Sequence, residues 1–296
     1  MNVVIAGGTG FLGTPLATAL RAAGHDVTLL TRGSAGAGRV AWIPDGTAGD
    51  WARSLDGADA AVNLSGESIA SGRWTPKRKE AIRNSRILAT RSLVAAMLQA
   101  QKPPAVFVSG SAVGYYGPRG DEPLIEESPA GTDFLAQVCR DWEAEAQRAA
   151  DLTRVVLLRT GLVLAANGGA LPQIVLPFRM FAGGQTGSGE QYWSWIHRAD
   201  WVGIVVWALQ HAAVSGPINL TAPNPVKNRE FAETVGRVLH RPSLLPAPAF
   251  ALRTALGEMA DALLLTGQRV LPSKVEADGY AFQHDELEPA LRDLLT

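Results

Sequence analysis

A single cysteine, Cys139, stands in the whole chain, so no internal disulfide can form and no cysteine-based zinc site is possible. Histidine is almost as scarce. His25, His197, His211, His240 and His284 are dispersed, with no H-x-x-x-H or similar spacing, so the sequence defines no metal site. Neither sign of charge is in excess. The 27 Lys and Arg residues face 28 Asp and Glu residues, which excludes a global attraction to nucleic acid or acidic membranes. Long apolar runs are missing too. The run from Val3 to Ala6 is far too short for a signal peptide or a membrane span, and Gly7 and Gly8 end it. Internal repeats and low-complexity segments are absent. The expectation is a soluble cytoplasmic chain with no membrane or nucleic-acid partner.

What is there is a core-forming composition: 47% of residues are hydrophobic and 19% charged. At 296 residues the chain is long enough for one large α/β domain, or for such a domain with a small appendage. Short apolar runs at 2–7, 26–32, 58–66, 103–111 and 153–164 alternate with helical patterns such as 14–25 and 75–100. The runs are rich in Val, Leu and Ala without clean polar alternation, as expected for strands covered on both faces. Repeated strand–helix–strand order predicts an α/β fold with a Rossmann-type, doubly wound parallel sheet. Thr75 is the predicted N-cap and Pro76 the first residue of the long helix. The basic first half of that helix, from Lys77 to Arg91, reads as a solvated face. Past residue 165 the texture shifts to glycine and aromatics, then to a proline-rich stretch at 240–252. The expected organisation is a Rossmann domain over 1–240, with substrate-lobe insertions beginning near 165, and a small C-terminal module over 241–296.

The stretch GGTGFLG puts Gly7, Gly10 and Gly13 at G-x-x-G-x-x-G spacing, directly after a predicted strand and before a predicted helix. A strand must turn sharply into a helix there, and the first backbone N–H groups of that helix must approach a pyrophosphate. The pattern predicts a dinucleotide site. Sites selective for NAD place an acidic residue near the end of the second strand. Here that strand ends in Thr31 and Arg32, while Asp26 lies at its beginning. A hydroxyl and a cation at this point favour a 2′-phosphate, so NADP(H) is the expected cofactor. Arg86, from the basic helix, is a further candidate for a phosphate or ribose contact.

The segments GGTGFLG, VNLSGE (62–67), VSGSAVGYYG (108–117), LRTGLVL (158–164), WIHRADW (195–201) and GPINLTAP (216–223) follow one another as in the extended short-chain dehydrogenase/reductase superfamily. Within it the chain resembles the atypical YfcH-like branch of nucleoside-diphosphate-sugar epimerase-like proteins. GSGEQYWSWIH (187–197) resembles the substrate-lobe signature of that branch, and 267–291 resembles its short C-terminal domain of unknown function. The resemblance implies that Thr9, Gly10, Phe11 and Leu12 line the pyrophosphate and that Leu64 and Ser65 flank the adenosine side. It places Ser109 and Ser111 beside the nicotinamide, with Ser111 polarising a substrate carbonyl or hydroxyl. Arg159, Thr160, Gly161 and Leu162 would lie near the carboxamide. It leaves a homodimer open.

Superfamily catalysis uses Tyr-x-x-x-Lys on the helix after the fourth strand, the lysine and cofactor lowering the tyrosine pKa from about 10. The corresponding stretch, GTDFLAQVC, has Phe134 and Val138 instead. Tyr115 and Tyr116 are candidates for a displaced acid/base, and His197 is another because imidazole titrates near neutrality. Cys139, in an apolar helix, reads as inert. Glu126, Glu127, Asp133, Asp141 and Glu143 read chiefly as a solvated loop and helix face, though one could act as a base. Tyr192, Trp193, Trp195 and His197 offer flat walls for a small-molecule substrate, and the glycines of 183–189 suit a lid. Arg179 could meet an anionic substrate group. The leading expectation is an NADP-dependent oxidoreductase or epimerase-like enzyme with a non-standard acid/base, acting on a small polar, nucleotide-sugar-like substrate. The alternative is an NADPH-binding sensor or regulatory protein without turnover.

Overall fold

The computed structural model describes residues 1–296. Its strands are β1 Asn2–Ala6, β2 Asp26–Thr31, β3 Arg39–Ala41, β4 Ala60–Asn63, β5 Val106–Ala112, β6 Pro123–Leu124 and β7 Arg154–Thr160. The later strands are β8 Leu162–Leu164, β9 Tyr192–Trp193, β10 Trp195–His197, β11 Gly216–Leu220, β12 Val226–Lys227 and β13 Arg269–Val270. The helices are α1 Gly13–Ala22, α2 Pro76–Gln99, α3 Phe134–Gln147, α4 Leu171–Arg179 and α5 Arg198–Gln210. They continue as α6 Asn228–Leu239, α7 Ala249–Leu256, α8 Glu258–Ala260, α9 Ser273–Ala277 and α10 Leu287–Leu295. No helix is long and apolar enough to cross a membrane.

Seven strands form the central sheet in the order β11-β7-β5-β4-β1-β2-β3, every neighbour parallel. This is the predicted Rossmann-type sheet, with helices on both faces. The apolar runs are unbroken because each strand feeds two cores. In β1, Val3 and Ile5 join the cluster under α1 and α5, while Val4 and Ala6 join the cluster under α2. Such side-to-side alternation is what a strand's period of two requires when both faces are covered.

Two strands escaped the sequence pattern. β3 is three residues long and largely exposed, and the five residues of β11 include Gly216 and Pro217. The strand expected over 153–164 is two strands. Gly161 ends β7, and β8 leaves the sheet to pair with β10. The break needs glycine, since a Cβ at 161 would stand 2.3 Å from the Ser194 carbonyl oxygen.

Thr75 caps α2 by accepting the Arg78 N–H at 3.2 Å, with Pro76 in the first turn. Its basic half is not simply solvated. Arg78 pairs with Glu67, Lys79 with Glu258, Arg83 with Asp141 and Arg91 with Glu145. Asp141 and Glu145 lie on α3 and Glu258 on the C-terminal segment, so the charges fasten α2 to both.

That segment is tied down by buried carboxylates. Asp200, fully buried, accepts the backbone N–H groups of Gln283 at 2.7 Å and His284 at 2.9 Å. Glu126 accepts those of Asn219 and Lys274. The 183–189 stretch, expected to be a lid, is strapped to the proline-rich segment instead. Leu245 donates to Gly183, Ala247 to Gln185, and Gly187 to Ala247. Its glycines serve close packing: a Cβ on Gly184 would meet the Leu245 carbonyl oxygen at 2.3 Å.

Candidate active site

β4, β1 and β2 lie side by side, and their carboxyl ends bring the predicted cofactor residues together. Gly7 has φ +77°, and a Cβ there would stand 2.7 Å from the Leu64 carbonyl group. A Cβ on Gly13 would stand 2.2 Å from the Gly7 carbonyl oxygen. The glycines thus let the turn fold onto itself and onto β4. Leu12 occupies the N-cap of α1 and offers no side-chain acceptor. Thr14 donates its N–H to the Gly10 carbonyl at 3.0 Å and Pro15 has none, so the open donors are those of Phe11, Leu12 and Gly13, and with the positive helix end they fit a pyrophosphate. Thr9 and Gly10 are exposed beside them, and Phe11 is half-buried.

Leu64 donates its N–H to Ala6, and Ser65 donates its own to Asn63 Oδ1, which fixes both at the end of β4. Thr31 Oγ1 accepts the Gly33 N–H at the end of β2, and Arg32 is exposed there. Arg86 lies against Gly66, near that β4 end. Its guanidinium donates to the carbonyls of Ile82 and Glu67 and lies over Trp142. Burial pulls its pKa down. It is anchored to backbone rather than swinging free in solvent.

The carboxyl end of β5 carries a buried polar chain. Ser109 is sealed inside the sheet and presents nothing to a ligand, because β5 runs on to Ala112. Ser111 Oγ donates to Glu143 Oε1 at 2.6 Å. Arg159 grips the same carboxylate through Nε and Nη2, each at 2.9 Å. Its Nη1 donates to the Tyr116 hydroxyl at 3.0 Å and to the Glu126 carbonyl at 2.9 Å. Tyr116 passes its proton toward Asn219 Oδ1 at 2.7 Å, and Asn219 Nδ2 donates to the Leu271 carbonyl. Arg159, expected near a carboxamide, therefore spends most of its N–H donors on protein partners.

Tyr116 is fully buried, and burial pushes its hydroxyl up to about 12, Arg159 pulling the other way. As a displaced acid/base it is out of position and far from neutrality. Tyr115 is half-buried, and its ring carries the Arg159 guanidinium at 3.5 Å. Phe134 turns toward α2, edge-on to Trp74 with Lys79 Nζ 4.5 Å from its ring centroid. The groups that α3 presents to Ser111 are Cys139 and Glu143, one turn apart. Neither register supplies a tyrosine or a lysine. Burial and then Glu143 push the Cys139 thiol up to about 12, so it stays protonated.

The expected substrate wall divides. Trp193 and Trp195 share one face, as alternation predicts, but that face is core: both pack in the cluster beneath α6. Trp195 is fully buried with its indole N–H on the Asn224 carbonyl, so it presents no wall to a ligand. Tyr192 stays half-buried, between Lys227 and Arg269. Gly161 donates its N–H to Leu220 and Leu162 to Ser194, so their backbone donors are spent within the protein. His197 is buried and caps α5, its Nδ1 accepting the Ala199 N–H at 3.1 Å. Its other nitrogen faces Asp293, and its ring stacks on His284. It works against the C-terminal segment rather than a substrate.

His197, His284 and Asp293 bring ligand-type atoms within 4.8 Å of one another, which dispersed spacing does not reveal. The Nδ1 acceptor role leaves the ring proton on Nε2, so that nitrogen donates rather than ligates. Sequence reasoning set Glu143 among solvated acids, and it gave Asn219 no role. The available signal for Glu143 was its place in α3, next to Trp142 and one turn from Cys139, among the residues that the helix buries.

Over residues 3–220 the chain matches the family model described as the NAD dependent epimerase/dehydratase family, and over 247–294 a domain of unknown function, DUF1731. It is 42% identical over 303 residues to "Epimerase family protein SDR39U1 homolog, chloroplastic" of Arabidopsis thaliana, covering 100% of this chain and 87% of that relative. It is 40% identical over 302 residues to "Epimerase family protein YfhF" of Bacillus subtilis, covering 100% and 98%. The crystal structure of human epimerase family protein SDR39U1 (isoform 2) with NADPH matches with a TM-score of 0.93 at 38% identity, over 99% of each chain. With the glycine-rich turn and the parallel sheet that presents it, these likenesses decide the assignment: the chain belongs to the NAD dependent epimerase/dehydratase family.

Proposed function

We propose that this chain binds NADP(H) and is an oxidoreductase or epimerase-like enzyme acting on a small polar, nucleotide-sugar-like molecule, without the usual Tyr and Lys pair. The observation that carries this reading is the 2.6 Å bond from Ser111 to Glu143, at the end of a strand that neighbours β4 and the glycine-rich turn. The human relative crystallised with NADPH supports the cofactor, and Thr31 and Arg32 support its 2′-phosphate. Gly7, Gly10, Gly13 and the open N–H groups of Phe11, Leu12 and Gly13 would hold the pyrophosphate. We assign the cofactor to residues 1–240 and read 241–296 as a module that braces the lobe.

When bound, NADP(H) would supply hydride exchange at a substrate carbon. The rest falls to the chain. Ser111 directs its proton to Glu143, so its oxygen lone pairs can accept a hydrogen bond from a substrate hydroxyl. As that hydroxyl becomes a carbonyl, its proton moves to Ser111 Oγ, and the proton of Ser111 moves to Glu143 Oε1. Arg159 holds the carboxylate in place by two bonds of 2.9 Å, so that Oε1 faces the Ser111 hydroxyl.

A second reading, an NADPH-binding regulatory protein, is favoured by one observation. The buried chain from Ser111 runs through Arg159, Tyr116 and Asn219 to the Leu271 carbonyl of the C-terminal segment. One experiment separates the two. The protein is incubated with NADPH deuterated at nicotinamide C4 and a fractionated metabolite extract, and the label is followed by mass spectrometry. Protein-dependent deuterium in a metabolite is the expected result and names the substrate. Tight NADPH binding with no transfer in any fraction would leave the regulatory reading.

A further inference from the structure

Arg198 has no role in the site as described so far. We infer that it supplies a cation to the pyrophosphate held by the glycine-rich turn, an inference that rests on the cofactor reading above. Arg198 is the first residue of α5 and is half-buried. Its guanidinium carbon lies 5.8 Å from the ring centroid of Phe11, which sits between Gly10 and Gly13 in that turn. Nη1 donates to Asn167 Oδ1 at 3.0 Å, in the loop after β8. Gly168 and Gly169 of the same loop press on the same ring, where added Cβ atoms would stand 2.9 and 2.7 Å from Phe11 carbons. Loop and arginine together form a wall beside the turn.

The electrostatics of that wall need an anion. A cation in the first turn of its own helix opposes the helix dipole. Leu16, Ala17 and Leu20 of α1 share a core cluster with Trp201, Ile204 and Val205 of α5. Arg198 also lies against Phe11, just ahead of α1, whose N-terminus has no side-chain cap. Two positive helix ends and a guanidinium therefore gather, and no carboxylate pairs with that guanidinium. Arg198 takes part in no salt bridge, and the first-turn acid of α5, Asp200, is turned away to Gln283 and His284. A pyrophosphate bound at the turn would neutralise this excess, and a guanidinium matches phosphate oxygens in charge and in fork geometry.

The test titrates the wild-type protein and the variants Arg198→Gln, Arg198→Lys and Arg32→Gln with NADPH, NADH and adenosine 2′-monophosphate, which lacks the pyrophosphate. Isothermal titration calorimetry reads the affinities, and a thermal melt checks folding. Arg198→Gln is expected to weaken NADPH and NADH by the same factor, on the order of tenfold, and to spare the mononucleotide. Arg198→Lys should fall between. Arg32→Gln should show the complementary pattern, losing NADPH and the mononucleotide while sparing NADH. Dinucleotide affinities within about twofold of wild type in Arg198→Gln would overturn the inference and leave the cofactor reading standing. Wild-type protein that binds neither dinucleotide would overturn the cofactor reading and this inference with it.

Discussion

Ser111 Oγ donates to Glu143 Oε1 at 2.6 Å, and Arg159 holds the same carboxylate by two bonds of 2.9 Å. The hydroxyl can therefore be removed without unpairing the buried charge. Ser111→Ala is expected to cut deuterium transfer from labelled NADPH by at least about a hundredfold, the low end for loss of general acid–base assistance. NADPH affinity should stay near wild type, because the glycine-rich turn is untouched. The melting temperature should fall by only a few degrees, as one net hydrogen bond is worth about 1 kcal/mol. Undiminished transfer in Ser111→Ala would remove this hydroxyl from the reaction.

Glu143 is expected to behave differently, as a structural charge as well as a relay. Glu143→Leu leaves Arg159, itself buried, without its anion. Breaking such a pair from one side costs about 3–5 kcal/mol. The double variant Glu143→Leu with Arg159→Met removes both charges and should recover much of that loss. Urea unfolding of the single and double variants measures the difference. A double variant no more stable than Glu143→Leu would mean that the cost is one of packing, not of an unpaired cation.

The glycine-rich turn admits a sharper substitution test. Gly13→Ala puts a Cβ 2.2 Å from the Gly7 carbonyl oxygen, a backbone atom that cannot step aside alone. The turn must open, and the N–H groups of α1 must shift with it. NADPH binding by Gly13→Ala is expected to drop by more than a hundredfold, about 3 kcal/mol, measured by calorimetry. Gly24→Ala, at the far end of α1 with φ +79° and nothing within 4 Å of the added Cβ, should lose stability by about 1 kcal/mol but keep its affinity. Equal affinity in Gly13→Ala would mean that the turn tolerates the shift and is not the anion cradle.

The sheet and the turn were legible because their signals are local. Apolar runs such as Val3–Ala6 and the spacing of Gly7, Gly10 and Gly13 lie within a few residues of one another. The buried chain was not legible, because each link joins distant segments. Ser111 and Glu143 are 32 residues apart, and Tyr116 and Asn219 are 103 apart. Aromatics misled for a related reason. Trp195 and Tyr192 read alike in sequence, yet one is walled in by α6 and the other lies between two cations. Only packing distinguishes a core ring from a wall. The tyrosine that looked catalytic, Tyr116, is spent on holding Asn219.

His197 gives the fold a pH dependence whose sign follows from its surroundings. Burial and then the neighbouring His284 push its pKa down, while Asp293 and Asp200 pull the other way without reversing the shift. The folded state therefore favours the neutral ring, as the cap on Ala199 requires, because a proton on Nδ1 would destroy that acceptor. The unfolded ring titrates near about 6.5. Between that value and the lower folded one, the unfolded chain binds more protons, so stability rises with pH across the window. It is fully present above about 6.5 and is lost as the pH falls through that value toward the folded pKa. Melting temperatures from pH 7.5 to 5.5, roughly a unit either side of 6.5, should fall on acidification. His197→Asn keeps a capping acceptor that does not titrate, so its melting curve should be flatter over the same range. Hydrogen exchange should locate the acid-sensitive opening at 280–296, where Asp293 and His284 meet the ring. Parallel slopes for wild type and His197→Asn would assign the pH dependence elsewhere and leave His197 a cap and nothing more.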